Sequence, residues 1–178
     1  MRTKRLILSA LFAALIFISI SLFRVPNGLG GFIHFGDAMI FIAAAVLPFP
    51  FALPVAAIGA GLFNLVFGPI WLPFTILIKP IMTLCFTSTG DTILQTKRNN
   101  IAPFVAALIN TVLYFGANMI LFALGLLPVD HVGIWAAGIA SLPGLLIQGI
   151  GSVIMFFVLA LALDRIGIKV RFMKEGIV

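Results

Sequence analysis

The sequence predicts an all-α integral membrane protein, a bundle of six transmembrane helices with both termini in the cytoplasm. Of its 178 residues, 62% are hydrophobic and 9% are charged, and the mean hydropathy is +1.26. A soluble domain carries about 25% charged residues, so this chain has too few polar side chains to cover a water-soluble surface. Apolar runs suited to crossing a bilayer recur along the chain, and basic residues cluster between them.

Six apolar runs define the expected spans, and residues 1–178 form a single transmembrane domain. The second run is short: Asp37 opens it and Pro48 follows it, so it crosses only if it is tilted or packed against a longer neighbour. The first run follows a basic lead, but no small-residue cleavage site follows it, so we expect a retained helix and not a signal peptide. The runs are residues 6–23, 38–47, 51–67, 74–89, 101–124 and 138–163.

Lys and Arg residues are concentrated on one side of this topology. Only Arg24 falls on the other side, and Lys79 lies within a span. Because positive charge marks the cytoplasmic side, both termini are predicted to be cytoplasmic, in a protein of the cell membrane. Binding of nucleic acid by the basic ends is disfavoured, since charge beside membrane spans is common. The clustered residues are Arg2, Lys4, Arg5, Lys97, Arg98, Arg165, Lys169, Arg171 and Lys174.

Polar side chains within the spans are few, and most fall in the outer half of the membrane. Such groups usually face a cavity or the bundle interior. Asn110, Tyr114 and Asn118 share one face of the fifth span, although a single polar residue often only links helices. Lys79 requires a partner, either Asp37 or a ligand oxygen, and both alternatives stay open. The candidate substrate-binding residues are His34, Asp37, Asn64, Lys79, Asn110, Tyr114, Asn118 and Gln148.

The outer connections add two features. Residues 24–35 are rich in Gly and aromatic side chains, which suits either a flexible flap over a pocket mouth or an ordinary interfacial turn. Trp71 and Trp135 also lie in outer connections. Trp commonly anchors a helix at the membrane interface, so we interpret both first as anchors and second as residues that stack on a ligand.

Catalytic and metal-binding motifs are missing from the sequence. His34 and His131, with Asp37 and Asp130, show no close ligand spacing, and the lone Cys85 excludes a disulfide framework and a Cys-based metal site. There is no Ser/His/Asp motif, no HExxH and no phosphate loop. We therefore expect neither an enzyme nor an ATP-binding pump, and no metal or cofactor bound by this chain.

Four segments occur in a characteristic order along the chain. Ala10 and Ala14 lie one turn apart on the first span, where another helix could approach closely. The remaining segments are Gly31-Phe32-Ile33-His34-Phe35-Gly36-Asp37-Ala38, then Ala56-Ala57-Ile58-Gly59-Ala60-Gly61, then Ile76-Leu77-Ile78-Lys79-Pro80-Ile81-Met82. With the six spans and the basic ends, this order resembles the substrate-binding S components of energy-coupling factor (ECF) vitamin transporters.

The resemblance implies a non-enzymatic subunit that captures a vitamin or its precursor outside the cell. Ala10 and Ala14 would contact the transmembrane coupling (T) subunit, and two cytoplasmic ATPases would use ATP to drive transport. Two positions depart from the family pattern. Asn64 stands where Asp is frequent, and Pro80 follows Lys79 where Gly is frequent.

Within this family, the short chain and residues 34–38 are most similar to the branch assigned to hydroxymethylpyrimidine or pyridoxine. A ring with a polar rim suits Tyr114, Asn118 and Gln148. Pantothenate is the alternative substrate, because its carboxylate would use Lys79 as a counter-charge. The alternative classes of protein are a self-sufficient proton-coupled secondary transporter and an integral-membrane enzyme.

Overall fold

The computed structural model describes residues 2–27, 31–127 and 133–176, which form helices and one antiparallel hairpin. The hairpin pairs Val25 with Ile33, and a short 3-10 turn, Pro69–Trp71, precedes the fourth helix. The elements are α1 (Arg2–Leu22), β1 (Arg24–Pro26), β2 (Phe32–His34), α2 (Asp37–Val46), α3 (Phe49–Phe67), α4 (Leu72–Thr83), α5 (Lys97–Ala123), α6 (Gly133–Arg165) and α7 (Ile168–Lys174).

Four of these helices are long and apolar enough to cross a membrane: α1, α3, α5 and α6. The predicted bundle of several membrane-spanning helices is therefore confirmed for these four helices. The other two predicted spans form shorter apolar helices, α2 with 10 residues and α4 with 12. At 1.5 Å per residue, α2 is about 15 Å long, roughly half of the hydrocarbon core.

The fourth predicted run, residues 74–89, is wrong at its end, because α4 stops at Thr83. The following segment is irregular and is fixed by side chains from elsewhere. Asn99, fully buried, accepts a hydrogen bond from the backbone of Thr87 and donates to the carbonyls of Thr87 and Ile93. These bonds satisfy backbone groups that a helix would otherwise have satisfied.

The basic clusters meet at one end of the bundle, which we call the basic end. Lys4 Nζ donates to the carbonyl of Glu175 at 3.3 Å, which brings the start of α1 to the end of α7. Asp164, near the end of α6, accepts hydrogen bonds from the backbone N–H groups of Ile93 and Leu94 at 2.7 and 3.0 Å. The start of α1, the connection before α5 and the C-terminal segment therefore lie together.

Helix α2 lies at the centre of the bundle. Nine of its 10 residues are buried, which explains why its sequence is apolar on every side. Phe41 stacks on Phe86 with ring centroids 5.2 Å apart. Close packing around the centre depends on small residues: a Cβ on Gly151 of α6 would overlap the ring of Phe35, just before α2.

Candidate functional site

A cavity of about 520 Å³, its open mouth included, lies at the end of the bundle opposite the basic end. The hairpin, the end of α3, the 3-10 turn, α5 and α6 all contribute to its wall. Of this space, about 60 Å³ is open to the centres of water-sized spheres, which is less than the roughly 300–1,000 Å³ of ordinary small-molecule sites. The lining residues are Asn27, Gly31, Phe32, His34, Phe63, Asn64, Trp71, Tyr114, Asn118, Ser141, Leu145 and Gln148.

A buried ion pair lies behind the cavity wall. Lys79 Nζ of α4 is 2.7 Å from Asp37 Oδ1 of α2, and both side chains are 2% exposed. The same Nζ donates to Asn110 Oδ1 at 2.8 Å, and Gln148 Nε2 donates to Asp37 Oδ2 at 2.9 Å. Each charged group thus contacts the opposite charge and one amide group of suitable polarity. Ions buried in membrane proteins are usually stabilised in this way.

A second set of hydrogen bonds links α3, α4 and α5 beside the ion pair. Asn64 Nδ2 donates to Thr75 Oγ1, which is 2.6 Å from the hydroxyl of Tyr114. The Tyr114 ring lies 4.9 Å from Lys79 Nζ and 6.2 Å from the Trp71 ring. Tyr114 therefore presents an aromatic face and a fixed hydroxyl at the same wall, which suits contact with a polar ring compound.

The hairpin lines part of the cavity and is held by aromatic contacts. The Arg24 guanidinium lies 3.8 Å from the ring centroid of Phe67 and 5.7 Å from that of Phe63, an arrangement that favours attraction between cation and ring. His34 packs against Phe63 at 6.0 Å. Burial, only partly opposed by the negative charge of Asp37, lowers the pKa of His34 to about 4, so this imidazole is neutral at neutral pH.

The structure places five of the eight predicted site residues in the cavity wall and three behind it. The first group is His34, Asn64, Tyr114, Asn118 and Gln148. Asp37, Lys79 and Asn110 do not line the cavity but bond to one another or to Gln148. The sequence left two possible partners for Lys79, a ligand oxygen and Asp37. In the structure its partner is the carboxylate of Asp37. Whether any of these eight residues contacts a ligand stays a prediction.

The interpretation of Trp71 as a membrane anchor is wrong, because the indole is 7% exposed and lines the cavity. Trp135 is 71% exposed, in keeping with an anchor. Sequence reasoning also missed Phe63 and Thr75. Thr75 precedes Lys79 by four residues and so shares its helix face, a signal that was available in the sequence.

The proposed partner residues of α1 lie on the surface of the bundle. Ala10 and Ala14 are both exposed, as a helix-docking surface requires. Of the connections predicted to be outer, residues 28–30 of the predicted flap, together with Asp130 and His131, lie outside the described residues.

Comparison with protein families matches residues 1–165 to the family described as "ECF-type riboflavin transporter, S component". Neither the curated proteins nor the solved structures compared with the chain gave a match. The family match covers most of the chain and agrees with the predicted resemblance, whereas the hydroxymethylpyrimidine or pyridoxine branch stays a prediction. With its apolar helices, its buried polar groups and this match, the chain belongs to the ECF S-component family, a family of non-enzymatic, substrate-binding membrane proteins of vitamin uptake.

Proposed function

We propose that this chain captures a small heteroaromatic vitamin on the outer side of the cell membrane and delivers it inward together with a T subunit and two cytoplasmic ATPases. The partners use ATP, and this chain binds no cofactor of its own. The observation that carries the proposal is the cavity opposite the basic end, whose wall combines aromatic rings with amide and hydroxyl groups.

The proposal includes six crossings with both termini in the cytoplasm. The basic end holds Lys4, Arg98 and the C-terminal helix, and positive charge favours the cytoplasmic side. The cavity then opens outward. The short helices α2 and α4 cross with the support of their longer neighbours, since α2 is buried and is not required to match the lipid thickness itself.

Three vitamins fit the proposed class. The matched family names riboflavin, and the sequence resemblance favours pyridoxine or hydroxymethylpyrimidine. All three are neutral rings with polar substituents, which suit Tyr114 and Trp71 as aromatic contacts. Pantothenate fits less well, because the charge of Lys79 is already compensated by Asp37 at 2.7 Å, so a carboxylate would have to compete with a buried ion pair.

Binding is tested with the purified chain in detergent. Native mass spectrometry would identify a vitamin that co-purifies, and titration with riboflavin, pyridoxine, hydroxymethylpyrimidine and pantothenate would rank their affinities. We expect one of the three neutral ring vitamins to bind most tightly, and we expect Asn118→Leu to weaken its binding. Asn100→Leu is the matched control, since Asn100 is exposed at the basic end. Equal effects of the two changes, or tightest binding of pantothenate, would contradict the proposed site.

Transport is tested in liposomes with and without the T subunit and the two ATPases. We expect uptake of the bound vitamin only when all partners and ATP are present. Uptake by the chain alone under a pH gradient would instead support the secondary transporter.

A further inference from the structure

The hydrogen bonds around the cavity have a direction that the ion pair dictates. An ammonium group only donates and a carboxylate only accepts. Gln148 must therefore turn its NH₂ group toward Asp37, and Asn110 must turn its carbonyl oxygen toward Lys79. The charged partners therefore fix the orientation of each amide.

Gln148 lines the cavity with its NH₂ group already engaged. Its carbonyl oxygen receives no hydrogen bond from any residue in the described ranges, 2–27, 31–127 and 133–176. This oxygen is an acceptor left available at the wall.

Asn118 repeats the same arrangement nearer the mouth. Ser141 donates its hydroxyl hydrogen to the carbonyl of Gly138 at 2.7 Å, so its oxygen is left to accept from Asn118 Nδ2 at 2.8 Å. The carbonyl oxygen of Asn118 again has no donor among the residues that the structure describes. The cavity wall thus presents two amide oxygens, from α5 and α6.

His34 is a further polar residue of the cavity wall, and one of its ring nitrogens is buried without a partner among the described residues. Its side chain lines the cavity and is more than nine-tenths buried, yet Nδ1 has no hydrogen-bond partner in the described part of the chain. A buried polar atom without a partner is costly unless something else satisfies it.

We infer that the wall is built to accept hydrogen bonds, and that its ligand is a ring compound that donates N–H or O–H groups to the carbonyl oxygens of Gln148 and Asn118. Asp37 and Lys79 act as positioning residues, because they fix the direction in which the amides point. The inference rests on the proposed function and narrows its substrate to donor-bearing vitamins. An analogue without one of these donors leaves the oxygen that the donor would have paired desolvated and unpaired.

The test compares each vitamin with an analogue that lacks one donor: riboflavin with 3-methylriboflavin, and pyridoxine with 4-deoxypyridoxine. Using the vitamin that binds the purified chain, we expect the analogue to bind roughly tenfold more weakly. Gln148→Met keeps the length of the side chain but removes its polar atoms. This change should weaken binding of the vitamin by a similar factor and reduce the preference for the vitamin over its analogue. Gln95→Met is the matched control, because Gln95 is exposed at the basic end.

A second variant covers the case in which Gln148→Met fails to fold. Asn118→Leu removes the other acceptor and should also reduce the preference for the donor-bearing vitamin, whereas Asn100→Leu should leave it unchanged. Equal affinity of the native chain for a vitamin and for its analogue with one donor removed would overturn the inference and leave the proposed function intact. Failure of every vitamin to bind would instead remove the proposed function, and the inference with it.

Discussion

Lys79 Nζ lies 2.7 Å from Asp37 Oδ1 in the interior of the bundle, and this contact joins α4 to the central helix α2. The pair also engages Asn110 and Gln148. It therefore connects four helices through a few atoms, and its loss should affect both stability and the wall of the cavity.

Removing one member of this pair should destabilise the protein strongly. Asp37→Leu or Lys79→Met leaves an uncompensated charge in a low-dielectric interior, and we expect each to cost about 3–5 kcal/mol. The double variant Asp37→Leu/Lys79→Met should be less damaging than the sum of the two, because no charge is then left unpaired. Thermal unfolding in detergent measures all three. Strict additivity would show that the two charges do not depend on each other.

Gly59 lies where α3 packs closely against α1. A Cβ at this position would lie 2.8 Å from both the carbonyl oxygen of Ala13 and the Cβ of Ile16. The backbone of α1 cannot move aside locally at this point. Gly59→Ala should therefore push α1 and α3 apart and lower the free energy of unfolding by about 1–3 kcal/mol.

Gly116→Ala is the control for this change, because, among the described residues, nothing beyond its own stretch of helix lies within 4 Å of the added methyl group. Since Ala is the better helix former, this variant should be neutral or more stable, by up to about 1 kcal/mol. Thermal unfolding compares the two variants, and equal melting temperatures would argue against close contact between α1 and α3.

The helix order and the cluster of polar residues opposite the basic end were predictable because both depend on local sequence. Apolar runs locate helices, and a spacing of four residues places Tyr114 and Asn118 on one face. The direction of successive helices then brings these ends together. No knowledge of the packing was needed for this part of the site.

The remaining features depend on tertiary contacts that local sequence does not contain. Trp71 turns inward because a 3-10 turn precedes α4 and places the indole beside Tyr114. The end of α4 at Thr83 depends on Asn99, 16 residues further along the chain, which binds the backbone of the following segment. The apolar run itself continues past this point, so hydropathy alone extended the helix too far.

Low pH should destabilise the fold through His34. Its pKa falls from 6.5 to about 4 on folding, mainly because it is buried. Between these values the unfolded chain binds a proton that the folded chain does not, so the free energy of unfolding should fall as the pH falls from 6.5 toward 4. The loss should reach on the order of 3 kcal/mol at the lower limit.

His34→Gln isolates this contribution, because the other titrating groups are the same in both proteins. Unfolding is followed in detergent at several pH values, and the difference between the native chain and the variant should change over that window and level off above pH 6.5. A constant difference would show that His34 is accessible to protons in the folded state.

Large side chains at the exposed Ala10 and Ala14 should abolish uptake while preserving vitamin binding. Both methyl groups lie on the surface of α1, and Leu at these positions would hold a partner helix away from the backbone. The variant Ala10→Leu/Ala14→Leu is assayed for binding in isolation and for uptake with the T subunit and ATPases. Ala136→Leu/Ala140→Leu, an equally spaced and exposed pair on α6, is the control and should transport normally. Loss of vitamin binding in the α1 variant would mean that α1 contributes to the cavity. Loss of uptake in both double variants would mean that bulk on any exposed helix blocks transport, and the assignment of α1 to the T subunit would be wrong.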